Sequence, residues 1–278
     1  MKNRDNIRGF SGVPRFSYPF SHGKLVRVFF GMVAISLGAG NVTHADLLLS
    51  EDFEDSTITY TTSVPDALGN IDRFGYFGRI APDTALNTSR HAFTNNQGSG
   101  YYGANNTRES SNGQPNRLIT LDWSGIDISA FTNLELSWFV AEDDSDDGRE
   151  HWDADNGTGI RTTRFDILTQ LDGGGFNPIF AVRAENAAFD QTPRVDTDFD
   201  GVGDGAEITD AFTQYMVSIP DGGILDIRVE IAELDIDEED IAFDSLRLTG
   251  TTAVPEPSSF LFLSLLGLVG VGLRRWRQ

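Results

Sequence analysis

The stretch ILDIRVEIA, residues 224–232, contains the clearest secondary-structure pattern in this chain. From Leu225 to Ile231 its odd-numbered residues are apolar, and the even-numbered residues between them are charged. Successive side chains of a β-strand point to opposite faces, so this alternation predicts a strand with one dry face and one wet face. Strands of this kind are typical of antiparallel sheets that cover a core on one side only.

Period-two patterns or short apolar runs recur along the chain and predict seven further strands. The segment from Ile241 to Leu248 changes register half-way, which predicts a β-bulge near Asp244-Ser245. Residues 46–253 contain no long segment with the 3.6-residue period of a helix, so the sequence predicts an all-β fold, an antiparallel β-sandwich. The other predicted strands are Leu47 to Phe53, Arg117 to Leu121, Leu134 to Val140, Phe165 to Leu171, Ile179 to Arg183 and Tyr215 to Ile219.

The first 45 residues have the layout of a secretory signal peptide. A basic leader up to Arg27 precedes an apolar segment from Val28 to Gly40, and a small-residue site ends at Ala45. An apolar core of 13 residues is too short for a permanent membrane helix, so we expect cleavage after Ala45. The chain is therefore predicted to be exported.

The last 25 residues, 254–278, have the layout of a sorting signal. Ser258 to Leu273 are 16 residues without a charge, and as a helix they would be roughly 24 Å long. This length suits a single short transmembrane helix that serves as a transient anchor in the inner membrane. Arg274 and Arg275 follow it and, by the positive-inside rule, favour the cytoplasmic side, which leaves the body of the protein outside.

This tail resembles the PEP-CTERM sorting signal of Gram-negative bacteria. The short motif is matched at Val254, Pro255, Glu256 and Pro257, and the apolar segment and the arginine cluster follow in the expected order. The resemblance implies that an exosortase recognises and cleaves the tail. It implies a protein that is anchored transiently and then lies at the cell surface or outside the cell.

The intervening body, residues 46–253, is strongly acidic. It contains 12 basic residues, all arginine, and 40 acidic residues, a formal charge of −28. Nucleic acid is excluded as an expected partner because its binding depends on basic side chains that neutralise phosphates. Bound divalent cations would relieve the self-repulsion of such a body. The chain has no cysteine, so a domain of this size must rely on its core rather than on disulfides.

One acidic segment has the spacing of a calcium-binding loop. Residues 196–207, DTDFDGVGDGAE, fill the twelve-residue pattern D-x-D-x-D-G-x₅-E at every specified position. The segment lacks predicted flanking helices and has Gly203 where EF-hands carry an apolar residue, so it resembles thrombospondin type 3 or dockerin-like loops. A solvated turn of Asp and Gly is the alternative. The predicted Ca²⁺ ligands are Asp196, Asp198, Asp200, the Val202 carbonyl, Asp204 and Glu207.

Three further motifs resemble bacterial jelly-roll modules found beside secreted enzymes and in PEP-CTERM proteins. They are LSEDFE at 49–54, LDGGGF at 171–176 and EDIAFDSLRL at 239–248. In similar carbohydrate-binding jelly rolls, an acidic residue near the first strand and an Asp on the last strand share a structural calcium. The matching positions are Glu51 or Asp52 and Asp244, although all three could equally be solvated carboxylates.

A second acidic stretch, residues 142–157, surrounds Trp152. A solvated acidic loop is the simpler interpretation, since blocks of like charge usually stay in water. An exposed Trp152 could instead provide a stacking surface for a sugar ring. Trp123 and Trp138 lie among strand residues and are predicted to be core.

The residues for most catalytic schemes are missing from the body. It contains no Lys, no Cys, no G-x-S-x-G motif and only two histidines, although a carboxylate pair for glycoside hydrolysis stays open. We therefore expect no enzyme, with a secreted hydrolase as the weakest hypothesis. The main hypothesis is a calcium-stabilised surface or extracellular-matrix protein associated with exopolysaccharide or biofilm. A carbohydrate-binding module is the alternative.

Overall fold

The computed structural model describes residues 45–54, 57–66, 76–80, 93–107, 118–143, 152, 163–186, 191–234 and 239–252. Twelve β-strands lie within these ranges and form two six-stranded antiparallel sheets. The strands are β1 Ala45–Glu51, β2 Thr61–Thr62, β3 Tyr76–Ile80, β4 Tyr101–Asn105, β5 Leu118–Asp127, β6 Phe131–Ala141, β7 Arg164–Leu171, β8 Asn177–Ala184, β9 Pro193–Val195, β10 Thr213–Ile219, β11 Ile224–Ala232 and β12 Asp240–Thr252.

The strand order brings the two ends of the body together. The first sheet runs β10-β6-β12-β4-β3, with β1 also paired to β12, and the second runs β2-β5-β11-β7-β8-β9. Side chains from both sheets meet in one core cluster. This arrangement confirms the predicted all-β sandwich, and each of the eight predicted strands overlaps an observed one.

Strand β11 lies in the middle of the second sheet, between β5 and β7. Its apolar residues from Leu225 to Ile231 are buried against the first sheet, as the alternation predicted. On its outer face the charges pair with neighbouring strands. Arg228 Nε lies 2.6 Å from an Asp122 carboxylate oxygen on β5, and the Arg228 guanidinium also covers the Phe176 ring at 4.4 Å. These pairs hold long polar side chains flat on the sheet.

The predicted bulge lies in β12, where the register with β6 shifts between Asp244 and Arg247. Ser245 has a φ of 52°, a left-handed conformation that is uncommon for a residue with a side chain. The bulge lies where one edge of β12 changes partner, from β4 up to Phe243 to β1 from Leu246 onward. The extra residue therefore allows one long strand to pair with two short ones.

The core is rich in aromatic rings. Phe243 lies 5.1 Å from Phe53, 6.0 Å from Tyr102 and 6.0 Å from Phe165, measured between ring centroids. All four side chains are fully buried, and each of the three phenylalanines contributes about 1.5–3 kcal/mol through removal from water. Trp123 and Trp138 are buried as well, which confirms the prediction for both.

Four strands have no predicted counterpart: β2, β3, β4 and β9. Strand β4, YYGAN, is buried along its whole length, and β3 has only Arg79 partly exposed. A strand covered on both faces does not alternate between apolar and polar residues, so its period is not visible in the sequence. Strands β2 and β9 have two and three residues and are too short for any period.

The predicted signal peptide up to His44 and the predicted tail from Val254 to Gln278 lie outside the described residues. Within the described ranges, no helix is long and apolar enough to cross a membrane.

Candidate metal sites and the sorting motif

The predicted calcium loop, residues 196–207, begins directly after β9 and folds back on the edge of the second sheet. The backbone N–H of Asp196 donates to the carbonyl of Ala181 on β8, and that of Gly203 donates to the carbonyl of Ala184, both at 2.9 Å. Asp204 N–H donates to the Val195 carbonyl on β9. The loop is therefore fixed to two strands at both its start and its middle.

Three carboxylates of the loop converge. One ligand oxygen each from Asp196, Asp198 and Asp204 lies within 4.8 Å of the others, and the described residues contain no other cluster of this kind with three or more His, Cys, Asp or Glu side chains. Asp196 is buried, while Asp198 and Asp204 are exposed, so the cluster opens to solvent on one side. Carboxylate oxygens at such distances are the hard ligands that Ca²⁺ prefers.

The loop backbone supports this geometry. The Asp196 carboxylate accepts hydrogen bonds from the N–H groups of Asp200 at 3.2 Å and Gly201 at 2.9 Å. Gly201 has a φ of 96°, which glycine adopts without strain. The Asp204 carboxylate accepts two bonds from Thr197, from its N–H at 2.9 Å and from its hydroxyl at 2.7 Å. The Thr197 N–H and hydroxyl bonds lower the Asp204 pKa and so favour the charged form that a cation needs.

Two predicted ligands point elsewhere in this structure. Glu207, the last position of the motif, forms an ion pair with Arg194 at 2.9 Å between Oε2 and Nη2. The Asp200 carboxylate accepts a hydrogen bond from the Val202 N–H at 2.9 Å, and Asp200 is not in the cluster of three. The carboxylates at positions 1, 3 and 9 of the motif are therefore close together, and those at positions 5 and 12 lie outside the cluster.

The unusual Gly203 has a structural reason. A Cβ atom at this position would lie 2.5 Å from the Arg183 carbonyl oxygen and 2.8 Å from the Arg194 Cβ. Real Cβ atoms are not found this close to backbone, so only glycine allows the loop to reach the sheet edge. In an EF-hand the calcium loop is flanked by helices and does not lie against a sheet edge. This difference explains why an EF-hand carries an apolar residue where this loop has Gly203.

The second predicted site takes a different form. Glu51 is buried, and its carboxylate accepts bonds from Phe53 N–H at 3.1 Å and from the N–H and hydroxyl of Thr59 at 2.9 and 2.7 Å. The Asp52 carboxylate accepts a bond from Glu54 N–H at 3.3 Å. The described residues contain no cluster of three acidic or histidine ligands that includes Glu51, Asp52 or Asp244, so a calcium shared by Asp244 with Glu51 or Asp52 stays a prediction. The hydrogen bonds of Glu51 hold the turn that follows β1.

Asp244 is nevertheless an unusual carboxylate. It lies in the β12 bulge with 0% of its surface exposed, and its Oδ1 has no hydrogen-bond partner. Its Oδ2 accepts a bond from Gln97 N–H at 3.3 Å. Burial is the main cause that raises the Asp244 pKa to about 7, and the negative charge of Glu54 raises it further. A buried oxygen without a partner needs a proton or a cation.

Glu54 is the acidic neighbour that the sequence prediction missed. Its carboxylate accepts bonds from the N–H groups of Ser99 at 2.5 Å and Gly100 at 2.8 Å, and these lower the Glu54 pKa. Phe53 has a φ of 56°, which breaks the alternation of the strand just before Glu54. The only sequence signal was that Glu54 belongs to the same acidic motif as Glu51 and Asp52.

The exposed aromatic platform predicted at Trp152 is wrong. The side chain is 0% exposed and belongs to the core cluster. Its backbone pairs with that of Gln191, at 3.2 Å and 3.0 Å, which fixes Trp152 over the interior. The acidic residues around it in sequence suggested exposure, but a single bridged residue can be buried within a polar segment.

Comparison with known families identifies the tail. Residues 253–277 match the family described as the PEP-CTERM protein-sorting motif. The chain carries a PEP-CTERM sorting motif. The match includes all the predicted sorting residues, from Val254 to Arg275. The PEP-CTERM motif implies recognition by an exosortase, export with a transient C-terminal anchor, and then a surface or extracellular location. A search of curated proteins found no match.

Solved structures with some likeness include three proteins of different kinds. The K3 cleaved adhesin domain of Lys-gingipain from Porphyromonas gingivalis is 14% identical with a TM-score of 0.36, covering 74% of this chain and 99% of the domain. A cyclase from Fischerella sp. TAU is 14% identical with a TM-score of 0.39, covering 76% and 100%. The CBM22-1–GH10 modules of xylanase 10B from Clostridium thermocellum, complexed with xylohexaose, are 12% identical with a TM-score of 0.35, covering 75% and 29%.

Proposed function

We propose that this chain is a cell-surface or extracellular-matrix protein whose β-sandwich is stabilised by Ca²⁺ bound in the loop 196–207. The convergence of the Asp196, Asp198 and Asp204 carboxylates within 4.8 Å carries the proposal. Three like charges at this distance repel one another, and a divalent cation converts that repulsion into attraction. Coordination by the Val202 carbonyl, Asp200 and Glu207 stays a prediction from the motif.

The surroundings of the protein support the same proposal. The sorting motif implies an extracellular destination. Extracellular modules bind calcium with dissociation constants of about 10⁻⁴–10⁻³ M, so a weak site is sufficient there. The body carries a formal charge of −28, and bound cations reduce the resulting self-repulsion. Calcium would thus stabilise the domain after export rather than before it.

The proposed role is structural rather than catalytic. An exosortase is the proposed processing partner, the inner membrane is the proposed site of the transient anchor, and exopolysaccharide or biofilm is the proposed environment. The resemblance of the tail to the PEP-CTERM signal supports these assignments. The carbohydrate-binding alternative based on Trp152 is not carried further, because this ring is buried.

Thermal unfolding of the purified chain in calcium and in chelator tests the proposal. At a calcium concentration of about 100 times Kd, binding adds about 2.7 kcal/mol. For a domain of this size we expect a rise of roughly 5–10 °C in the unfolding midpoint. Asp198→Asn should remove most of this rise, whereas the exposed control Asp221→Asn should keep it.

A third variant separates the observed geometry from the motif. Glu207 is paired with Arg194 and lies outside the cluster of three, so the effect of Glu207→Gln on the calcium-induced rise shows whether this carboxylate takes part in coordination. If wild type shows no rise, loop 196–207 is only a turn and the proposal fails. If Glu207→Gln loses the rise as completely as Asp198→Asn does, the ligand set follows the full motif rather than the cluster of three.

A further inference from the structure

Arg194 is a cation held beside the predicted calcium ligand Glu207. It lies on β9, two residues before Asp196, and its backbone forms an antiparallel bridge with that of Glu207. The Arg194 guanidinium donates from Nη2 to a Glu207 oxygen at 2.9 Å and from Nε to a Glu185 oxygen at 3.0 Å. One arginine therefore joins two carboxylates, and one of these is the last position of the calcium motif.

The position of Glu207 on the sheet edge brings it within reach of the predicted calcium site as well. Val195 and Ile208 pack toward the core, so their neighbours Arg194, Asp196 and Glu207 lie on the opposite face. Glu207 is directly opposite Arg194 across the bridge, which makes Asp196 its diagonal neighbour. Diagonal neighbours are about 7–8 Å apart, within reach of a long side chain. The Glu207 carboxylate can therefore contact either Arg194 or an ion held by Asp196.

The two contacts of Glu207 exclude each other when the ion takes both carboxylate oxygens. The last glutamate of the twelve-residue motif binds Ca²⁺ in this bidentate way. Arg194 engages Oε2 of Glu207, so bidentate coordination requires this ion pair to open. The Glu207 side chain is 43% exposed, which leaves room for it to turn. After opening, Arg194 keeps its ion pair with Glu185 at 3.0 Å, so both exchanged groups still lie beside an opposite charge.

We propose that Arg194 competes with Ca²⁺ for Glu207 and thereby sets the calcium affinity of loop 196–207. This inference rests on the proposed calcium site. Without calcium, Arg194 holds the Glu207 carboxylate outside the cluster of three. With calcium, Glu207 leaves Arg194 and becomes a ligand. A state that must first be released lowers the apparent affinity, so the loop is filled in a calcium-rich exterior rather than at low calcium before export.

Titration calorimetry with Ca²⁺ on the full chain, solubilised in detergent at about 0.15 M salt, tests this competition. Arg194→Gln removes the competing cation and leaves Glu185 and Glu207 in place. The calcium Kd should fall about two- to fivefold, the range expected for an exposed ion pair. Arg228→Gln is the matched control, because the Arg228 side chain is 31% exposed against 30% for Arg194 and pairs with Asp122 on β5. This control should leave the Kd unchanged.

A double-mutant cycle separates competition for Glu207 from a simple effect of charge. In the Glu207→Gln background the shared carboxylate is gone, so Arg194→Gln should no longer lower the Kd. Equal tightening with and without Glu207 would mean that Arg194 acts only through its charge, and the inference is then overturned.

The same titrations distinguish failure of this inference from failure of the calcium site itself. If wild type binds calcium and Arg194→Gln leaves the Kd unchanged or raises it, the competition is overturned while the proposed calcium site stands. If neither wild type nor Arg194→Gln binds calcium, the proposed site fails and the inference fails with it.

Discussion

The buried carboxylate of Asp244 predicts a specific dependence of stability on pH. In calcium-free buffer, its pKa is raised from 3.8 to about 7 in the folded protein. Between these values the folded state holds a proton on Asp244 that the unfolded state has released, so the contribution of Asp244 to stability falls as pH rises from about 4 to 7. The lost contribution is about 4 kcal/mol, since each pKa unit corresponds to about 1.4 kcal/mol.

Replacing Asp244 with Asn removes this titration while keeping the shape of the side chain. The other carboxylates titrate in both proteins, so the difference between variant and wild type isolates Asp244. Asp244→Asn should gain stability relative to wild type by about 4 kcal/mol between pH 4 and 8, roughly 10 °C in the unfolding midpoint. The exposed control Asp221→Asn should show no comparable change.

The assay is chemical or thermal unfolding followed by circular dichroism from pH 4 to 8 in chelator. If the stability curves of wild type and Asp244→Asn run parallel across this range, Asp244 does not titrate as a buried group and the reasoning from its burial is refuted. Added calcium should stabilise wild type at pH 8 more than Asp244→Asn if a cation replaces the proton on the unpartnered Oδ1.

Three further changes test the fold and the loop. Phe243→Ala should cost about 3–5 kcal/mol in unfolding free energy because it empties the centre of the aromatic core, whereas Phe199→Ala, 45% exposed in the loop, should cost far less. Asp166→Asn should cost up to about 3–5 kcal/mol by denaturant unfolding, since it leaves the Arg183 guanidinium, 2.7 Å away and mostly buried, without its charge partner. Gly203→Ala should lower the unfolding midpoint and weaken calcium binding, as measured by titration calorimetry, because the new Cβ would meet the Arg183 carbonyl. Gly175→Ala is the control, since the space around Gly175 is open.

The sequence predicted the strands that have one wet face, and physical reasons explain which strands it missed. Strand β11 alternates because its outer face carries Asp226, Arg228 and Glu230 over solvent. Strand β4 is covered on both faces, so its residues carry no period. The register change in β12 was visible because apolar residues on both sides of Asp244-Ser245 must reach the same core.

The candidate sites were predictable in position but not in detail. The spacing of residues 196–207 predicted the position of the loop. The ion pair between Arg194 on β9 and Glu207 was not predictable, because no local sequence pattern indicates this contact. The left-handed conformation at Phe53 likewise turns Glu54 toward Ser99 and Gly100, more than 40 residues away in sequence. Trp152 is buried through a bridge to Gln191, a contact that also depends on the assembled sandwich.

Crystals of the protein grown in millimolar calcium test the central claim most directly, through anomalous scattering from the metal. We expect a calcium peak about 2.3–2.6 Å from carboxylate oxygens of Asp196, Asp198 and Asp204. Well-ordered density for this loop with no peak among the three carboxylates would contradict the account.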